Sequence, residues 1–299
     1  MVQRSVNLYY LFMVLATLGW GLSWPIGKIL VGIAPPLTIG FFRFFFAFCC
    51  FLPILLWKYS PIRYTRRNLR NFLLLGLTGA FGYGVFFLVG LNFTTAAQGS
   101  IIAGANPAIV SLFAHYFLKE RLQQTWQYLG FGISFLGIIF VIGVQSLLDF
   151  RLEYLIGNLL VLMAMVCWGL YTNLSKLTMQ DGISAFEATA GGVFMGMIFF
   201  GIGSILEGVW DLSALNSMTF WSGVLILGAF VTFMSFTLYF VSVASIGPTR
   251  AAIFINLVPI FGTIFSTILL QEEILWTFVI GLILIIAGIF VINFPNNEE

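Results

Sequence analysis

The sequence predicts an all-α membrane protein: ten transmembrane helices arranged as two inverted five-helix repeats around a central cavity. Three observations carry this expectation. Of the 299 residues, 60% are hydrophobic and 8% charged, with a mean hydropathy of +1.04, whereas a soluble domain carries about a quarter charged residues. Ten apolar runs reach the roughly 20 residues that a bilayer core asks of a helix; they cover 8–30, 37–57, 72–91, 97–118, 124–144, 154–176, 185–206, 218–243, 249–270 and 274–294. The chain also echoes itself in order. WGLSWPIGK (Trp20 to Lys28) returns 148 residues later as WGLYTNLSK (Trp168 to Lys176), Gly79-Ala80-Phe81 as Gly228-Ala229-Phe230, Pro107 as Pro259, and GIIFVI from Gly137 as GIFVI from Gly288. An odd number of spans per repeat makes the second repeat enter the membrane from the opposite side. The repeats are expected over 1–147 and 154–294, with 295–299 a short cytoplasmic tail.

Each run has its own reason to be a helix with a role. Backbone groups in lipid must be satisfied within the segment, and no barrel-like alternation is present. Helix one follows Arg4 as a signal peptide would, yet it runs on without a small-residue cleavage site and carries the repeat motif, so it is expected to be retained. It holds Trp20 and Trp24, four apart on one face, and then Pro25. An interfacial belt fits Trp24 better than Trp20, whose mid-span place suits a cavity wall or interhelical packing. Helix two holds Arg43 within FFRFFFAF, about 9 Å from its outer end by helical rise. Arginine at that depth is costly unless it pairs, lines water or snorkels, so both a site and outward snorkelling are open. Its repeat counterpart lies near Gly191, so the charge is not duplicated.

Helix three offers Gly79, Gly82, Tyr83 and Gly84, and helix eight offers Thr232, Ser235 and Tyr239 in the matching region. Helix six carries Trp168 and Tyr171, the counterparts of the helix-one aromatics. Helices four and nine each hold a proline near the middle, Pro107 and Pro259, with Asn106 and Asn256 nearby. An interior proline removes a donor and frees a carbonyl about a turn earlier, so a matched kinked pair would put polar backbone at the midplane, where a solute would bind. Bending to fit neighbouring helices is the structural alternative. Helices five and ten close each repeat.

Charge placement orients the chain. With the amino terminus in the cytoplasm, Arg4, Lys58, Arg63, Arg66, Arg67, Arg70, Lys119, Arg121, Lys176 and Arg250 fall inside, and only Lys28 and Arg151 fall outside. This predicts a multi-pass protein of the plasma or inner membrane with both termini cytoplasmic. Matched positions change sign as inversion requires: Lys119-Glu120-Arg121 against Gln271-Glu272-Glu273, and Gln98 against Arg250. The net charge of +2 is too small to imply nucleic acid as a partner. One histidine and three unpaired cysteines exclude a metal cluster, and no cofactor is expected. No nucleophile, zinc or Walker motif appears, so neither an enzyme nor an ATP-driven pump is expected. No carboxylate lies at mid-span; coupling through Glu187 or His115 would need a cavity reaching the cytoplasmic third.

These segments resemble the drug/metabolite transporter superfamily, specifically its ten-helix EamA-type members. The resemblance rests on WGLSWPIGK, FFRFFFA, the helix-four stretch ANPAIVSLFAHYFLKERL and its degraded return VPIFGTIFSTILLQEEIL, and it covers almost the whole chain. It implies two EamA repeats around a cavity and export or exchange of small metabolites, often amino acids, by alternating access. The residues it carries over are Trp20, Pro25, Arg43, Asn106, Pro107, Glu120, Pro259 and Glu272, the two glutamates as structural ends of the repeats. Asn173 stands where Pro25 would return, so the site is not expected to be symmetric. The expected partners are a small organic solute and the lipid bilayer. The alternatives are a multidrug or lipid-precursor flippase and, less favoured, a non-transporting scaffold.

Overall fold

A computed structural model describes residues 2–59, 64–117, 126–148, 152–207, 212–246 and 254–292, and every long element among them is a helix. They are α1 (Val2–Val31), α2 (Pro36–Lys58), α3 (Arg66–Phe93), α4 (Ala96–Ala103 and Asn106–Phe117), α5 (Trp126–Leu148), α6 (Leu152–Gln180), α7 (Ala185–Leu206), α8 (Met218–Leu225, Ile226–Met234 and Ser235–Ile246), α9 (Leu257–Leu270) and α10 (Trp276–Ile292). Among the described residues, α1 to α4 and α6 to α8 are the seven helices long and apolar enough to cross a membrane, while α5, α9 and α10 contribute shorter apolar stretches. Large apolar side chains point away from the bundle, as with Trp57, Leu206 and Met218 at 86%, 82% and 80% exposure. Such an outer surface suits lipid, not water. Lys119, Glu120, Arg121, Arg63, Arg151, Arg250 and the tail 295–299 lie outside the described residues.

Local chemistry sets the ends. Pro36 opens α2 where its missing N–H is no loss. Thr65, Thr95, Ser184 and Ser217 cap α3, α4, α7 and α8 by accepting from backbone N–H groups. The carboxylate of Glu272 accepts from the N–H groups of Ala96 at 2.9 Å and Ala97 at 2.7 Å, and thereby caps α4 from the far repeat. Lys28 Nζ donates to the carbonyls of Leu91 at 2.6 Å and Thr94 at 2.8 Å, closing the end of α3. Both contacts tie the α3–α4 turn to neighbouring helices.

Two features depart from plain α-helix, and both fall on the sequence echoes. The segments Gly76–Gly82 of α3 and Ile226–Met234 of α8 are π-helical, and they contain Gly79-Ala80-Phe81 and Gly228-Ala229-Phe230. In α8 the widened turn is held by hydroxyls: Thr232 donates to the carbonyl of Leu227 at 2.8 Å and Ser235 to that of Phe230 at 3.2 Å, five residues back in each case. The second departure corrects the expectation of mid-helix proline kinks. α4 breaks at Gly104 and Ala105, whose N–H groups turn back to Ile101 and Ile102 at 2.9 and 3.1 Å. Pro107 therefore sits in the first turn of a new half-helix, and Pro259 does the same in α9 after a turn at Asn256. A first-turn proline forfeits no helical hydrogen bond.

The main helix contacts recur when the two halves are exchanged. α3 lies on α6 and α7, α8 lies on α1 and α2, and the pairs α2–α7, α4–α9 and α5–α10 join across the halves. The largest buried cluster is built on Trp24, Phe87, Leu88, Leu91, Ile101 and Val161. A second, on Phe44, Phe51, Val193 and Phe200, joins α2 to α7.

Candidate functional site

Between the halves, level with the π segments, lies a cavity of about 30 Å³, room for one or two waters. α2 supplies Arg43 and Phe44, α3 supplies Gly79, Ala80 and Tyr83, and α6 supplies Trp168 and Tyr171. Thr189, Gly192 and Val193 come from α7, and Thr232 and Phe236 from α8. Of the residues singled out in the sequence, Arg43, Tyr83, Trp168 and Tyr171 meet here. Gly79 makes the wall possible, because a Cβ at that position would enter the ring of Tyr171.

Arg43 is 5% exposed, so the snorkelling alternative does not describe it. Its Nε donates to Thr232 Oγ1 at 3.2 Å, and the Thr232 hydroxyl in turn donates a hydrogen bond to the Leu227 carbonyl. The guanidinium carbon stands 5.3 Å from the Phe44 ring and 5.8 Å from the Phe87 ring, within cation–π range. Nη1 is buried with no hydrogen-bond partner. A guanidinium carries five donors, and a buried one left unmade is expensive. Among the described residues, no carboxylate or histidine lines the cavity.

The aromatic wall is continuous. Tyr83 stacks on Phe87 at 5.6 Å, Trp168 lies 5.2 Å from Tyr83 and 5.3 Å from Tyr171, and Phe236 lies 5.6 Å from Trp168. Trp20 and Tyr239 form a layer behind it, Trp20 standing 5.3 Å from both Phe236 and Tyr239. The Tyr171 and Thr189 hydroxyls are 3.5 Å apart.

Other candidates lie elsewhere. Trp24 is 2% exposed and packs edge-on to Phe87 and over Gly99, where a Cβ would collide with its ring. Pro25 follows it inside α1. Asn106 and Asn256 head the half-helices of α4 and α9, each with a buried, unpartnered Oδ1, and neither lines the cavity. His115 meets Tyr116 and Tyr128 edge-on, with ring centres 5.3 and 6.3 Å away. Glu187 forms a capping box with Ser184 and accepts from the Tyr64 hydroxyl at 3.3 Å. Burial first, then the Glu187 charge, pushes the Tyr64 hydroxyl up to about 12. At that same end Arg67 pairs with Asp181 at 2.6 Å and Asn71 joins them at 3.0 Å. Among the described residues no group of three His, Cys, Asp or Glu could hold a metal.

Phe44, Thr189, Val193 and Phe236 were not singled out in the sequence, Ala80 entered only as part of a repeated motif, and Gly192 only as a small residue suited to close helix approach. An offset of 149 residues pairs Arg43 with Gly192, Phe44 with Val193, Tyr83 with Thr232 and Phe87 with Phe236. Carrying Arg43 across the repeat would have found Gly192, whereas the other missed residues have no suspected counterpart.

Comparison with known proteins returns one family twice: the EamA-like transporter family matches residues 7–143 and again 155–294. An uncharacterized transporter of Bacillus subtilis, YyaM, is 26% identical and covers 99% of both chains. Another from that organism, YoaV, is 24% identical over 95% of this chain and 96% of its own. An uncharacterized transporter of Archaeoglobus fulgidus is 24% identical over 97% and 98%. One protein crystal structure, 19% identical and covering 98% of this chain and 99% of its own, superposes with a TM-score of 0.69 and shares the fold.

Proposed function

This chain belongs to the EamA-like transporter family and is a membrane transporter, and we propose that it is a secondary carrier that exports or exchanges small organic metabolites, amino acids or related amphipathic solutes, by alternating access. The single observation behind this reading is Arg43: buried, half-satisfied and facing an aromatic cavity to which both halves contribute. The two halves are taken as inverted five-helix repeats, 1–147 and 154–294, in a cell membrane with both termini cytoplasmic. Exchange-symmetric packing supports that arrangement, because a pseudo-two-fold axis between repeats is where such carriers hold their solute. The cavity is too small for an organic solute in this state, so binding must part the helices around it.

Purified protein in liposomes preloaded with a panel of amino acids and organic acids tests the reading by counterflow of labelled solute. Exchange above protein-free vesicles, lost in Arg43→Ala, is the expected result. No exchange of any panel member would remove the carrier function. Movement of lipid analogues between leaflets instead would favour the flippase.

A further inference from the structure

Arg43 brings one permanent positive charge into the cavity, and no carboxylate among the described residues answers it. Its Nε is spent on Thr232, while Nη1 has no partner. A structural arginine at this depth would be expected to spend its donors on backbone carbonyls or an acid. This one is fastened by Nε, with Nη1 left open. Thr232 fixes the direction of the fork, since its hydroxyl is itself anchored to the Leu227 carbonyl in the π segment. Opposite, where the repeat would place a second arginine, stands Gly192.

We propose that Arg43, positioned by Thr232, reads a single carboxylate, and that the solute carried is a monoanion with an aromatic or branched apolar body and no ammonium group. This rests on the transport reading above and narrows its solutes to the amphipathic anions, setting amino acids themselves aside. The argument is one of net charge in a dry site. A monocarboxylate makes the occupied cavity neutral and fills the guanidinium with charge-assisted bonds. A zwitterion would leave it with a net positive charge, and its ammonium would meet only hydroxyls and ring faces near another cation. An amine would double the buried charge. A dicarboxylate would bring a second anion to a site whose matching position is glycine. The body of the solute meets Tyr83, Trp168, Tyr171 and Phe236, which suit flat or branched apolar groups.

Binding of matched probes to the purified full-length protein tests this. Three bodies are offered in three charge states each: phenylpropionate, phenylalanine and phenethylamine; indolepropionate, tryptophan and tryptamine; methylpentanoate, leucine and isoamylamine. For at least one body the carboxylate is expected to bind about tenfold or more tightly than the zwitterion, with the amine weakest. Arg43→Gln should erase that ranking. Thr232→Val keeps the shape and removes the hydroxyl; it should weaken carboxylate binding by roughly three- to tenfold, leave the amine unchanged, and be rescued by Thr232→Ser. The wild-type ranking decides the matter even if Arg43→Gln does not fold. A zwitterion or amine bound as tightly as its carboxylate for every body that binds overturns the inference and leaves the transport reading standing. So does a ranking that survives Arg43→Gln in folded protein. No binding of any probe overturns the inference and counts against the transport reading as well.

Discussion

Two glycines that look alike in sequence stand in opposite surroundings. Gly79 is pressed against Tyr171, whereas Gly132 of α5 has nothing within 4 Å of where a Cβ would stand. Gly79→Ala must displace the ring or the helix, and is expected to lower stability by about 1–3 kcal/mol and to abolish exchange. Gly132→Ala should leave exchange intact and change stability by no more than about 1 kcal/mol. Thermal unfolding in detergent alongside counterflow separates them, and equal effects would mean that the wall is not built on Gly79. The same contrast explains what was legible residue by residue. Arg43 could be read because a charge in an apolar helix is rare, and Trp168 and Tyr171 because they return a motif. Thr189 and Phe236 could not, since they are ordinary residues of apolar helices. Rarity also misplaced some residues: Trp24 is as conspicuous as Trp20, yet Gly99 gives it a flat seat in the core.

Among elements, α4 shows most clearly what an apolar run conceals. Its hydropathy continues across Gly104 and Ala105, so a one-dimensional reading sees a single helix with an interior proline. The structure instead ends one helix and starts another. Pro107→Ala accordingly should cost about 0.4–1 kcal/mol through lost preorganisation. A kinked interior proline would instead release about 3 kcal/mol on replacement, so a gain of that size in unfolding experiments would restore the kink. The π segments were invisible for a related reason, since a single extra residue per turn leaves composition unchanged. Deleting the exposed Leu77 should let Gly76–Gly82 relax to α-helix. The expected variant keeps its melting temperature within a few degrees but loses about tenfold or more in exchange rate. Full retention of exchange would show that the widened turn has no part in transport.

For the whole molecule, composition and the doubled motif were enough to read a helical membrane protein, because both are properties of the entire chain. Orientation is the next step at this scale. In a variant free of Cys49, Cys50 and Cys167, an impermeant maleimide is expected to label Asn216→Cys on intact cells and Leu69→Cys only after permeabilisation. The opposite pattern would reverse the assignment of sides.

The lining of the cavity, which among the described residues holds one guanidinium and no carboxylate or histidine, has an energetic consequence. If Arg43 stays near a fixed depth while a monoanion passes, each cycle moves one negative charge across the membrane. An inside-negative potential then drives the solute outward with about 2.3 kcal/mol per 100 mV. With equal solute on both sides voltage would set the direction of flow, and liposomes clamped at opposite potassium diffusion potentials should fill or empty accordingly, at a rate indifferent to a pH gradient.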